Sequence, residues 1–265
     1  MVKSNYYKMS IILPTARVSA ETKSPNNLII FSKPKVGKTS LIAELPNCLI
    51  LDLESGSDYV EAMKLKATSV DEIKQIGKAI IEAGRPYDYI AVDTITALET
   101  MCIKEAEKMY ASTPMGSGWI KKNPDGTINI KDSAKSKYGS VLNLPNGQGY
   151  GYLRDAIVKT IEYIKTLAPR VILLGHVKDA MIEKAGAEVS AMDLDLTGKI
   201  KRIVSSQSDA IGYLYRKGNQ NILTFKTKDD VACGARPVHL RNQEIVVSEL
   251  DGENFISHWD KVYID

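Results

Sequence analysis

One eight-residue loop constrains this chain more than any other feature. Residues 32–39 read SKPKVGKT. An unbroken apolar run, Leu28-Ile29-Ile30-Phe31, precedes the loop, and a helical stretch through Leu41, Ile42 and Ala43 follows it until Pro46. A chain that passes from a buried strand through such a loop into a helix start turns successive backbone N–H groups toward one point. Gly37 permits close backbone approach, Lys38 adds an ammonium, and Thr39 adds a hydroxyl beside it. These groups suit the β- and γ-phosphates of a nucleoside triphosphate, with the threonine hydroxyl on a magnesium ion. The spacing therefore predicts ATP and Mg2+ bound by Ser32, Lys33, Pro34, Lys35, Val36, Gly37, Lys38, Thr39 and Ser40. Ser32 stands where the pattern G-x-x-x-x-G-K-[ST] begins with glycine, and a side chain is tolerated there if the backbone avoids positive φ. Lys33 occupies the place of a second signature lysine in one class of dimerising ATPases, but Pro34 and Lys35 replace that class's glycines. A solvated lysine, or one near phosphate or DNA, is the simpler reading of Lys33 and Lys35.

The rest of the chain has the order that such a loop requires. Apolar runs recur at Cys48–Leu51, Tyr89–Val92 and Val171–Leu174, and the first two end in Asp52 and Asp93. Continuous apolar runs separated by helical stretches predict a mostly parallel central sheet covered on both faces. Ser69 with Glu72 resembles a capping box, and Ile73, Ile76, Ile80 and Ile81 then share a helical face that ends at Gly84 and Pro86. Helices are also predicted through Leu98–Met109 and Leu153–Ile164. Tyr213–Tyr215 and Ile222–Phe225, with Gly218-Asn219 between them, predict a late antiparallel strand pair. The fold class is thus α/β, with residues 1–26 as an N-terminal arm or edge strand and 27–240 as the core. Residues 112–149, rich in Gly, Pro and Lys, form an insertion of short local elements or a loop ordered by a partner. Residues 179–208 are a second irregular stretch, and 241–265 a C-terminal extension packed on the core.

Acidic and polar residues fall at the strand tips. Asp93, after YIAV, is placed to hold the magnesium ion. Glu54, two residues past the second strand, can accept a proton from attacking water; Asp52 could do the same or simply cap the strand. His176, after VILLG, is placed to contact the γ-phosphate and sense its loss, or else to hydrogen-bond neighbouring backbone. The candidate catalytic residues are therefore Glu54, Lys38 and His176, and the metal ligands Thr39 and Asp93.

Two stretches suit single-stranded nucleic acid. Tyr138, Tyr150 and Tyr152 lie among glycines, with Lys137 and Arg154 nearby, and rings with cations can stack bases and hold phosphates. The same tyrosines could instead pack the insertion onto the sheet. Lys199, Lys201 and Arg202 form a basic triplet that neutralises phosphates or is merely solvated, with Asp193 and Asp195 weakening its field. Lys226 and Lys228 could reach a neighbouring subunit's γ-phosphate if the chain oligomerises.

Taken together, SKPKVGKT (32–39), LDLESG (51–56), YIAVDTITAL (89–98), LLGH (173–176) and SDAIGYLYR (208–216) resemble the RecA/Rad51 core. The likeness is closer to phage RecA-like single-strand annealing ATPases of the Sak4 type and spans roughly residues 25–230. It implies a RecA-like P-loop NTPase fold, with Glu54 activating water, Asp93 flanked by the Thr94 hydroxyl, and His176 in the place of a sensor glutamine. It implies two DNA-contacting loops, at about 138–152 and 179–202, and a filament or ring of identical subunits. Ser32, the 112–137 insert and the last thirty-odd residues depart from the family, which favours annealing or DNA loading over strand exchange.

Composition sets the remaining bounds. The formal net charge is +3, too small to imply nucleic-acid binding by itself. Cys48, Cys102 and Cys233 are far apart, and His176, His239 and His258 are scattered, so neither a disulfide framework nor a zinc site is suggested. No secretory leader or membrane span is evident, so a reducing cytoplasm is expected (the host's, if the chain is phage-encoded). The leading function is an ATP-hydrolysing single-stranded-DNA-binding protein in recombination or annealing, with a single-strand-binding protein as a possible partner. The alternative is a nucleotide-gated interaction or loader protein without DNA affinity. A small-molecule kinase is disfavoured, because no arginine-rich lid or acceptor pocket is evident.

Overall fold

The computed structural model describes residues 13, 15–17, 22–184, 187–227, 231–252 and 254–264, and over 179–184 and 187–191 the backbone path alone. Most of the expected N-terminal arm, and Lys228, lie outside the described residues. In chain order, β1 (Asn27–Ser32) leads through the phosphate loop into α1 (Lys38–Ala43), followed by β2 (Cys48–Asp52), β3 (Lys64–Lys66), α2 (Val70–Glu82), β4 (Tyr89–Asp93) and α3 (Ile95–Ala111). The insertion carries β5 (Lys121–Lys122), β6 (Ile128–Asn129) and α4 (Ala134–Tyr138). Then come α5 (Gln148–Lys165), β7 (Arg170–Lys184), β8 (Ala187–Leu194) and α6 (Gly198–Ser206). The chain finishes with β9 (Ala210–Lys217), β10 (Gln220–Thr224), β11 (Gly234–Ala235), β12 (Glu244–Asp251) and β13 (Asn254–Ser257).

The main sheet has the order β13-β12-β10-β9-β1-β7-β4-β2-β3. From β9 to β3 every pairing is parallel; from β9 to β13 every pairing is antiparallel. The central strands β2 and β4 are buried at every position, as expected where both faces of a parallel sheet are covered. Strand alternation divides their side chains between two layers. Ile29, Phe31, Leu49, Leu51, Ile90 and Val92 join the layer beneath α2, α3 and α5. Leu28, Ile30, Ile50, Ala91, Ile172 and Leu174 join the other, with α1, Trp259 and Val262.

The parallel crossovers bring the carboxyl ends of β1, β7, β4 and β2 to one edge, pairing Ser32 with His176 and Asp52 with Asp93. The functional side chains predicted at strand tips therefore share one rim. Cys48 and Cys102 lie in the interior as free thiols, and burial pushes both up to about 12.

Residues after 241 pack on the core by extending its sheet, β12 pairing with β10, and three other expectations need correction. Only the closing turn packs across a face, where the Trp259 indole N–H donates to the Leu41 carbonyl at 2.8 Å and satisfies a helix-end acceptor. The described residues of the stretch 179–208 are mostly regular, because β7 runs on into an antiparallel ribbon with β8 and α6 follows. A two-stranded ribbon pairs half of its backbone groups across the strands and can leave the rest to solvent, so it needs no long apolar run. The Ser69 hydroxyl does accept the Glu72 N–H at 3.2 Å, but the Glu72 carboxylate turns back to the Thr68 N–H at 2.6 Å rather than to Ser69. Ile81, assigned to the buried face of α2, is 38% exposed, whereas Ile73 and Ile80 are buried.

The insertion is built from short local elements and is anchored by apolar side chains. Trp119 is completely buried and meets Tyr110 edge-on at 5.6 Å, while Val141 and Leu144 are also buried. Among the described residues no helix is long and apolar enough to cross a membrane.

Candidate nucleotide site

The phosphate loop leaves β1 while Ser32 is still hydrogen-bonded as strand, paired with His176 and Leu214. Left-handed backbone occurs later, at Lys35 (φ 63°) and Gly37 (φ 104°). The glycine missing at position 32 is therefore not needed for a left-handed turn there. The Ser32 hydroxyl donates to the Lys33 carbonyl at 2.8 Å and accepts from the Lys38 ammonium at 3.0 Å. Lys38 is buried, and that burial lowers its pKa against the pull of Asp93 and Glu54.

Thr39 Oγ1 donates to Asp93 Oδ2 at 2.6 Å. Asp93 is buried, and loss of solvation raises its pKa despite the Thr39 hydrogen bond and the Lys38 charge. A cation at these oxygens would offset that penalty, and hard oxygen donors are what magnesium takes. Thr39 and Asp93 thus fit the ion proposed from the sequence.

Asp52 and Glu54 do different work. The buried Asp52 carboxylate accepts the backbone N–H groups of Glu54 (3.1 Å), Gly56 (3.3 Å) and Ser57 (3.1 Å) and the Ser57 hydroxyl (2.5 Å). Burial raises its pKa, and these hydrogen bonds outweigh burial and hold it below the ordinary value. Asp52 is therefore the anchor of the turn after β2, with no lone pair directed at a reactant. Glu54 stands on that turn. Its Oε1 accepts the Thr94 hydroxyl at 2.5 Å, and His176 Nε2 lies 3.2 Å and 3.3 Å from its two oxygens. Thr94 also caps α3 by accepting the Ala97 N–H at 3.3 Å. A carboxylate positioned by two neighbours and open to solvent can take a proton from water. His176 Nδ1 is buried, and no partner lies within reach among the described residues.

The opposite flank of the loop holds residues to which the sequence reading gave no role. Arg216, near the end of β9, donates from Nη2 to the Val36 carbonyl at 3.2 Å and from Nε to Asn221 Oδ1 at 3.2 Å. Asn221 Nδ2 donates in turn to the Ser248 hydroxyl at 3.0 Å. Arg216 ends the stretch SDAIGYLYR, but that resemblance gave it no role, and it lies 180 residues from Val36.

The nucleic-acid candidates separate into groups. The first turns of α5 and α6 face each other across a cavity of about 530 Å3, lined by Tyr150, Arg154 and Lys199 together with Gly147 and Thr197. Tyr150 is 47% exposed. Tyr152 turns inward instead and packs edge-on against Tyr110 at 5.4 Å. Tyr138 is half-buried, with the exposed Lys137 ammonium 5.2 Å from its ring centre. Lys201 is engaged by Asp193, while Arg202 is exposed. Lys226, a candidate for reaching a neighbour's phosphate, pairs with Glu244 of its own chain at 2.9 Å.

Comparison with known proteins adds one match. A family model described as an AAA domain covers residues 24–236, which includes the phosphate loop, every strand-tip residue above, Arg216 and Asn221. No curated protein matches the chain.

Proposed function

The chain belongs to the AAA domain family, and from that premise we propose that this nucleotide-binding P-loop ATPase works on single-stranded DNA. In this reading ATP and Mg2+ occupy the phosphate loop, Thr39 and Asp93 hold the ion, and Glu54 activates the attacking water. His176 faces the γ-phosphate and reports its loss. Magnesium supplies charge neutralisation at the phosphates when bound. The setting is phage recombination or single-strand annealing, as in the Sak4-type proteins it resembles, with subunits arranged in a filament or ring.

The observation that carries the reading is the cavity between α5 and α6. It gathers an exposed ring (Tyr150), a guanidinium (Arg154) and an ammonium (Lys199) from stretches some fifty residues apart. Neither helix start is capped by a side chain, and neither first turn carries an acid. A stacking platform flanked by cations and helix N-termini suits bases joined by phosphates. Lys137, Tyr138 and Arg202 extend the surface; Tyr152 and Lys201 support it from within, through Tyr110 and Asp193.

The test is the ATPase rate with and without single-stranded DNA at two salt concentrations. Stimulation that fades at high salt supports the proposal; a rate indifferent to every form of DNA contradicts it. Tyr150→Ala should weaken binding of the strand by about 1–3 kcal/mol per stacked base.

A second reading, a loader that acts through a protein partner, draws on the insertion. Ile120, Ile128 and Ile130 are 42%, 57% and 59% exposed around the β5–β6 hairpin, and clustered exposed apolar side chains mark interaction surfaces. ATP-dependent assembly with no affinity for DNA would favour that reading.

A further inference from the structure

On the loop's far flank, Arg216 reaches across from β9 to the Val36 carbonyl. The phosphate loop is a short segment whose amides must turn inward to meet phosphates, and holding its residues in one conformation costs backbone entropy. Two of its residues, Lys35 and Gly37, are in the left-handed region. Something outside the loop must secure that shape when the phosphates are absent.

We propose that Arg216 is a positioning residue for the phosphate loop, held in place by Asn221 and Ser248, and that it sets the affinity for nucleoside di- and triphosphates. Its Nη2 donates to the Val36 carbonyl at 3.2 Å, which pins one carbonyl of the loop and so restrains the peptide units beside it. A side chain at position 37 would meet Arg216 Nη2 at 3.5 Å and Asn221 Nδ2 at 3.7 Å, so this brace lies against the loop at its glycine. Among the described residues no carboxylate pairs with Arg216, and its directed contacts are this carbonyl and Asn221.

The residues behind the guanidinium make sense only with it. Asn221 is 3% exposed and Ser248 is fully buried. A buried amide in a sheet is costly unless its polar atoms are paired. Asn221 spends its oxygen on Arg216 and its nitrogen on Ser248. The pairing of β10 with β12 shifts register between Asn221 and Ile222, and such bulges re-aim side chains. The polar line Ser248–Asn221–Arg216–Val36 therefore connects β12, β10 and β9 to the loop.

This inference rests on the phosphate loop being the nucleotide site. The experiment measures the dissociation constants of fluorescent ADP and of a fluorescent non-hydrolysable ATP analogue, together with KM and kcat, for the full chain. Arg216→Ala should weaken both nucleotides by about tenfold, on the order of a lost charged hydrogen bond, and raise KM with kcat unchanged. Asn221→Ala should act in the same direction but less, and the double variant should be no weaker than Arg216→Ala alone, because one line of contacts is being cut. Arg216→Lys, which cannot grip Val36 and Asn221 together, should rescue only part. Unchanged affinity in a folded Arg216→Ala protein overturns the inference, as does a fall in kcat at unchanged KM. Lys38→Ala separates the two claims. If it abolishes binding while Arg216→Ala does nothing, only the brace is wrong; if it binds normally, the phosphate-loop reading fails.

Discussion

The two flanks of the phosphate loop differ in chemistry. Toward β7, β4 and β2 stand titratable groups: Glu54, His176, Asp93 and the buried Asp52. Toward β9, β10 and β12 stand a guanidinium, an amide and a hydroxyl, with no carboxylate within ion-pair distance of Arg216 among the described residues. The parallel flank has groups that can exchange protons and meet a metal. The antiparallel flank has groups that hydrogen-bond without exchanging protons, and they are engaged with one another and with the loop. On the proposed reading the loop has a reactive side and a supporting side, and substitutions on the two sides should separate turnover from affinity.

Glu54→Gln should have the largest effect. The amide keeps the shape and loses the base, so kcat should fall by about 10²–10⁴-fold, the range for general-base catalysis, while nucleotide still binds. Normal turnover would remove Glu54 from that role and leave the reactive flank without its defining member. Asp52→Asn tests the support beneath Glu54. An amide can accept no more than part of the four hydrogen bonds now made to Asp52, at a cost on the order of 2 kcal/mol. Chemical denaturation would measure that loss, and ATPase assays should show kcat falling with it.

The same carboxylate gives a pH dependence. Its pKa falls on folding, so its stabilisation is present above the unfolded value of 3.8 and is lost as pH drops below it. Acid titration of the wild type should loosen the turn over that window, and Asp52→Asn should flatten the response. Thr94→Val should have a smaller effect, a several-fold loss of kcat, by removing one donor to Glu54 and the cap of α3, which alone is worth about 1 kcal/mol. Smallest of all, Lys226→Ala should change stability by less than about 1 kcal/mol, as a half-exposed ion pair. A large loss of turnover in that variant would mean that Lys226 leaves Glu244 to act across a subunit interface.

The reactive flank was legible in the sequence because each of its residues lies at or shortly after an apolar run. Lys38, Thr39, Asp93, Glu54 and His176 could be placed on one rim from chain order alone, given parallel strands. Their division of labour was not legible. Asp52 and Glu54 lie two residues apart, and only the turn geometry shows that one anchors backbone while the other faces Thr94 and His176. Of the supporting flank only Arg216 fell in a recognised stretch, SDAIGYLYR, and without a role; Asn221 and Ser248 come from strands of ordinary composition and join it only through folding. The ribbon of β7 and β8 was missed for a related reason: its strands pair with each other and can leave their other backbone groups to solvent, so no apolar periodicity has to advertise it. Among the tyrosines, spacing could not separate the exposed Tyr150 from Tyr152, because that choice is set by where Tyr110 lies at the end of α3.

The most direct measurement sets Glu54→Gln beside Arg216→Ala and records nucleotide affinity and kcat for both. Opposite signatures are predicted: turnover lost with affinity kept in the first, affinity lost with turnover kept in the second. If both variants lose the same quantity, the loop has no reactive and supporting sides, and the account of how this chain handles its nucleotide is wrong.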